Sequence, residues 1–185
     1  MVLQILRHQF TVKQFHQMAE SGILSENDRV ELIRGEMIDM SPIIPKHSGC
    51  VIFFTNILVL ILETLALVSV HNPIVLDETS EPQPDIALLK PRPDFYRNSH
   101  PQPEDIFLLI EVADTTIKYD REVKIPLYAE ANIPEVWLVD VNQEIIEVYR
   151  NPLQGIYQDV QKLVKNKSLS ILAFPDVNIN VSEIF

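Results

Sequence analysis

The sequence predicts an α+β fold, a mixed β-sheet carrying a long core helix and one crossover helix. Three observations predict it. The run Ile106–Ala113 is apolar at seven of eight positions, so as a strand it is covered on both faces. Glu135–Val141 repeats that character, and a helical stretch separates the two, which is the order of a strand–helix–strand crossover. Upstream, a segment from about Lys46 to Leu65 is apolar nearly all round, the mark of a central helix.

In chain order, Thr11 is a good N-cap for a helix from Val12 to about Glu20, stopped by Gly22. Val30–Ile33 and Met37–Met40 read as two strands turned at Arg34-Gly35, and Ser41-Pro42 and Pro45 then mark a loop. After the long helix, Ala66–Val70 reads as a strand that Pro73 breaks, with Ile74–Leu76 extended again. Pro82 and Pro84 deliver the chain in extended form to the strand Asp85–Leu89, and Pro91 to Pro103 is a loop. Asp120 to Ala131 is the crossover helix, which Pro126 should kink or restart. Ile145–Arg150 and Tyr157–Leu163 continue as a meander, followed by β-like Leu169–Leu172 and a loop at Pro175. There is no repeat, no low-complexity segment and no second core, so residues 1–185 are expected to form a single domain.

Composition narrows the function. A net charge of −11 argues against charge-driven, non-specific nucleic-acid binding, although a divalent ion inverts the local charge. The segment Ile86–Pro103 is a small basic island, with Lys90, Arg92 and Arg97 against one Asp94. The single cysteine, Cys50, rules out an intramolecular disulfide and a Cys-rich zinc site, and it suits a reducing cytoplasm. Arg7 and His8 follow too few apolar residues for a signal-peptide core. Cys50–Val70 approaches membrane-span length, but its polar residues favour a buried core helix and no membrane partner is expected.

Glu111 is the anomaly inside the apolar strand, because a buried carboxylate costs several kcal/mol, to an order of magnitude, unless it is paired, protonated or metal-bound. Asp85 opens the strand expected to lie beside it. If the two strands pair, their carboxylates converge near a sheet end, an arrangement suited to Mg²⁺. Spacing alone leaves this open against a turn cap for Asp85 and a simple ion pair for Glu111. Lys124 falls on the inward stripe of its helix with Leu127, Tyr128 and Ala131. It reads either as the ion-pair partner of Glu111 or as a cation beside a water and a phosphate.

Pro84-Asp85, Ile110-Glu111-Val112, Asp120-Arg-Glu-Val-Lys124, Tyr128-Ala129 and Ile133-Pro-Glu-Val-Trp-Leu-Val-Asp140 resemble the motifs of the Uma2 proteins. These look like a branch of the PD-(D/E)XK nuclease superfamily, with its restriction-endonuclease-like fold. Arg29-Val-Glu-Leu-Ile-Arg-Gly-Glu36 and Met40-Ser-Pro42 extend the resemblance, which spans about residues 10 to 165. The superfamily places Asp on one strand and Glu-x-Lys on the next. This chain has Ala113 two residues after Glu111, and the resemblance implies that Lys124 replaces the missing lysine.

The resemblance implies an endonuclease that hydrolyses nucleic acid, DNA first, with Mg²⁺ or Mn²⁺ held by Asp85 and Glu111. Lys124 would be the catalytic lysine and Glu36 a further acid, and a homodimer is implied as well. Glu36 also reads as an exposed hairpin residue, and Glu31 as structural. His47 and His71 are candidates to approach the site. Asp114 and Asp120 read as helix caps, and Trp137 as core. Arg92, Arg97 and Arg121 are candidate phosphate contacts against a default of solvated charge. The rival reading is a catalytically inactive nuclease-like interaction module acting as a homodimer. A two-carboxylate glycosidase has no aromatic-lined cleft in its favour.

Overall fold

In the computed structural model, residues 7–25 and 27–185 are described; the apolar residues before Arg7, weighed above as a signal core, lie outside them. A six-stranded mixed sheet organises the chain. Its strands are β3 (Leu67–Val70), β4 (Ile86–Leu89), β5 (Ile106–Ala113), β6 (Glu135–Asp140), β7 (Ile145–Leu153) and β8 (Ile156–Leu163), in that spatial order. Only β5 and β6 are parallel, and the helical crossover between them is what a parallel pair requires. Two smaller hairpins flank the sheet: β1 (Val30–Ile33) with β2 (Glu36–Asp39), and β9 (Ser168–Ile171) with β10 (Phe174–Asn180).

Both faces of the sheet are covered, so a second apolar cluster forms where one core was expected. On one face, Phe54, Leu58 and Leu62 of α2 (Pro45–Leu62) are fully buried against Leu88, Leu108, Ile110 and Trp137. Each such side chain contributes about 1.5–3 kcal/mol. On the other, Leu127, Tyr128 and Ala129 of α4 (Ile125–Glu130) pack on Ala87, Leu109, Val136 and Leu138. Glu111 belongs to this second face, beside α4. A register shift at the start of β5 carries Ile106 to this side as well, where strict alternation put it with Leu108.

The predicted elements form, with four differences. Helix α2 is not central: one stripe is buried, while Ile52, Val59, Leu60 and Leu65 are exposed. By length and composition α2 is apolar enough to cross a membrane, with mean hydropathy 1.5. Ile74–Leu76 forms no strand, because the Val75 and Leu76 N–H groups bond to Pro101 and Ser80 carbonyls instead. Phe174–Asn180, read as a loop around Pro175, pairs as an edge strand with a register break that accommodates the proline. The Arg34-Gly35 turn has both residues at positive φ, 48° and 77°, the tight hairpin geometry expected there. A Cβ on Gly35 would lie 2.6 Å from the Gln9 Cβ, so a side chain is excluded by space as well as by φ.

The crossover is continuous from α3 (Ile117–Tyr119) through a π turn (Asp120–Lys124) into α4, and Pro126 neither breaks nor restarts it. Proline in an α-helix collides with the carbonyl four residues back and leaves that carbonyl unpaired. Here the preceding turn is widened, with Ile125 N–H donating to the Asp120 carbonyl, five residues back. The widened turn also buries Asp120 and Lys124 together against the sheet.

Candidate active site

The functional candidates converge on a cleft of about 550 Å³ at one end of β4 and β5, bounded by β1, the loop before α2 and the π turn. Strands β4 and β5 pair antiparallel with Ile86 opposite Ile110, a register that continued by one residue sets Asp85 opposite Glu111. Both carboxylates line the cleft.

Asp85 is held from three sides. Its Oδ2 accepts from the Val112 N–H at 2.7 Å, and its Oδ1 lies 3.1 Å from both His47 Nε2 and His71 Nε2. Burial alone would raise its pKa, but the hydrogen bonds from His47 and His71 outweigh that and hold it well below the usual carboxylate range. Glu111 has the opposite environment. Tyr128 Oη donates to its Oε1 at 2.5 Å, and Lys124 Nζ lies 3.3 and 3.4 Å from its two oxygens. Burial pushes the Glu111 carboxyl up to about 8; Lys124 opposes this, while Asp85, Asp120 and Glu31 add to it.

Lys124 Nζ also reaches Glu31 Oε2 at 3.1 Å. Burial would lower the lysine pKa, but Glu111, Glu31, Asp120 and Asp85 around it reverse the direction and keep it protonated. Asp120 is itself raised, first by burial and against the pull of Lys124. Four largely buried carboxylates therefore share one buried lysine among the described residues.

Three residues read otherwise in the sequence join the site. Glu31, taken as structural, is 4% exposed and ties β1 to the cleft through Lys124 and the Gln83 N–H. Asp120, taken as a cap, is buried in the π turn and lines the cleft. Arg29, unassigned before, lines the rim. The charged motif 29–36 held the signal, but a four-residue strand does not reveal which acid faces inward. Glu36 corrects the earlier assignment: it is exposed at the start of β2, bonds Arg7 at 3.1 Å and does not line the cleft. Arg92, Arg97 and Arg121 do not line it either. Arg92 is engaged by Asp94 and lies over the Tyr96 ring, Arg121 pairs with Glu147, and Arg97 is exposed. Asp114 lines the cleft and accepts from Asn142, so it caps no helix, and Trp137 is fully buried in the core.

Two buried polar atoms in this region have no protein partner: Tyr119 Oη and His47 Nδ1. Both residues line the cleft. Buried polar atoms are normally satisfied, so an unpartnered hydroxyl here marks space for a polar ligand or an ordered water. An oxygen-rich donor set with excess negative charge is also what a divalent cation requires.

The Uma2 family model, described as "Putative restriction endonuclease", matches residues 12–182. The chain belongs to the Uma2 family. Among solved structures, this Uma2 chain is similar to a "putative nuclease belonging to DUF820" from Anabaena variabilis. The TM-score is 0.73 at 16% identity, covering 95% of this chain and 97% of that one, a likeness that shows the nuclease-like fold. No curated protein matches the chain.

Proposed function

We propose that this chain is a metal-dependent endonuclease that hydrolyses phosphodiester bonds of nucleic acid, DNA first, in the cleft lined by Asp85, Glu111 and Lys124. The observation that carries the reading is the juxtaposition of Asp85, Glu111 and Lys124 in one cleft of a chain from a restriction-endonuclease-like family.

Asp85 and Glu111 would hold Mg²⁺ or Mn²⁺, with Glu31 as the further acid in place of Glu36. His47 and His71, both 3.1 Å from Asp85, shift the donor set toward Mn²⁺, because imidazole suits the softer ion. Bound there, a divalent ion supplies a Lewis acid that lowers the pKa of water and offsets phosphate charge. Lys124, protonated and buried, orients the attacking water and stabilises negative charge as it develops on the phosphate. Tyr128 fixes the Glu111 carboxylate, and Tyr119 Oη offers a free donor. Arg29 at the rim is the phosphate contact that Arg92, Arg97 and Arg121 do not provide. A single domain, a cytoplasmic setting and a homodimer for cutting two strands complete the proposal.

The inactive homodimeric module has one observation in its favour: Lys124 is engaged by both Glu31 and Glu111, as in a purely structural ion-pair network. The two readings separate in one experiment. Plasmid and single-stranded DNA are incubated with the full chain and Mn²⁺, Mg²⁺ or EDTA, alongside Asp85→Ala, Glu111→Ala and Lys124→Ala. Cleavage that needs the divalent ion and is lost in all three folded variants supports the enzyme. No cleavage and no ion-dependent binding of DNA or RNA would leave the interaction module.

A further inference from the structure

Away from the cleft, His16, Glu81 and His100 come together from three distant stretches: helix α1 (Val12–Glu20), the segment before β4 and the proline-rich loop 91–103. One donor atom of each lies within 4.8 Å of the others, and none of the three lines the cleft. Glu81 is 4% exposed, and its Oε2 lies 2.7 Å from His16 Nε2. The His16 and His100 rings stand edge to face with centroids 5.9 Å apart, so both imidazoles flank the same buried carboxylate.

Backbone bonds position all three. Glu81 exchanges bonds with Leu32 in both directions, and the Val75 N–H holds the carbonyl of Pro101, next to His100. The Val12 N–H holds the Glu78 carbonyl, docking the start of α1 on the turn that leads to Glu81. Yet α1 buries none of its nine residues, so apolar packing does little to fix it.

We infer that His16, Glu81 and His100 form a second cation site, for Zn²⁺ or a similar borderline ion, which ties α1 and the proline-rich loop to the sheet. Two imidazoles and one carboxylate are a Zn²⁺ donor set, not one for Mg²⁺. Donor atoms of a tetrahedral Zn²⁺ stand about 3.4 Å apart, from bond lengths of about 2.0–2.1 Å. A small rotation of the exposed His100 closes the present spread. The fourth position falls to water.

The test uses the full chain, stripped of metal and carrying His47→Ala and Asp85→Asn to silence the cleft. Zn²⁺ titrated by calorimetry should bind at one equivalent and raise the melting temperature. Adding His100→Ala should weaken that binding at least about tenfold and abolish the melting shift. His100 is exposed, so this change leaves the fold intact, as circular dichroism would verify. In the wild-type background His100→Ala should likewise remove one equivalent. No binding by the cleft-silenced chain, or equal binding with and without His100, would overturn the inference.

Discussion

Glu111 makes the pH dependence of stability a sharp test of the buried site. Its carboxyl rises from 4.5 to about 8 in the folded, metal-free chain. Between those values the folded state keeps a proton that the unfolded state has released, so stability falls as pH rises through the window. One such group contributes a slope of about −1.4 kcal/mol per pH unit. Glu111→Gln keeps the shape and an acceptor for Tyr128 but cannot titrate. Asp120, raised in the same direction, is common to both chains and cancels in the comparison. Urea denaturation in EDTA at steps from pH 5.5 to 7.5 should give wild-type stability that drops relative to Glu111→Gln by about 2–3 kcal/mol. Saturating Mn²⁺ should flatten the wild-type curve, because the proposed ion replaces the proton. Parallel curves for the two chains in EDTA would refute the picture of a carboxylate forced to hold its proton among other acids.

Lys124→Met should destabilise the protein by about 3–5 kcal/mol at pH 8, where Glu31 and Glu111 lose their shared cation, and by clearly less at pH 5; a denaturation series checks both. Glu147, pushed down to about 2 by Arg121, Lys162 and Tyr149 against its burial, adds stability above pH 4.5 that disappears as pH falls to about 2. Glu147→Gln should therefore cost about 1–2 kcal/mol at pH 6, a discounted figure because Arg121 and Lys162 are solvent-screened, and nothing at the acid end. Gly35→Ala should cost about 2 kcal/mol or more in thermal unfolding, from its φ of 77° and the 2.6 Å approach of Gln9. Cys50, with its thiol pushed up to about 12 by burial and Asp85, should be silent to a thiol reagent at pH 8 until the protein unfolds.

The central fold was legible because its strands are extreme. Ile106–Ala113 and Glu135–Asp140 are apolar enough to require cover on both sides, and Glu111 stands out within them by the cost of burying it. Lys124 was legible from helical spacing alone. The side of β1 that faces the cleft was not: over four residues, Glu31 and Glu36 differ only in which side of a tight turn they occupy. Nor does period reveal that α2 keeps half its apolar surface uncovered, since a helix apolar all round carries no phase. The π turn was hidden for a different reason. Pro126 announces a disturbance, but the way the ladder absorbs it depends on what Asp120 and Lys124 must face.

That wide turn amounts to an α-helix with one residue too many, and this gives the crossover an unusual sensitivity to length. Deleting a single residue between Asp120 and Lys124 would restore regular winding and rotate everything upstream by about 100° relative to α4. Asp120 and Lys124 could then no longer both reach the sheet. Substitutions in this turn swap one side chain at a time, whereas a one-codon deletion would dismantle the cleft's charge arrangement at a stroke. The segment 120–124 should thus tolerate changes of residue far better than changes of number.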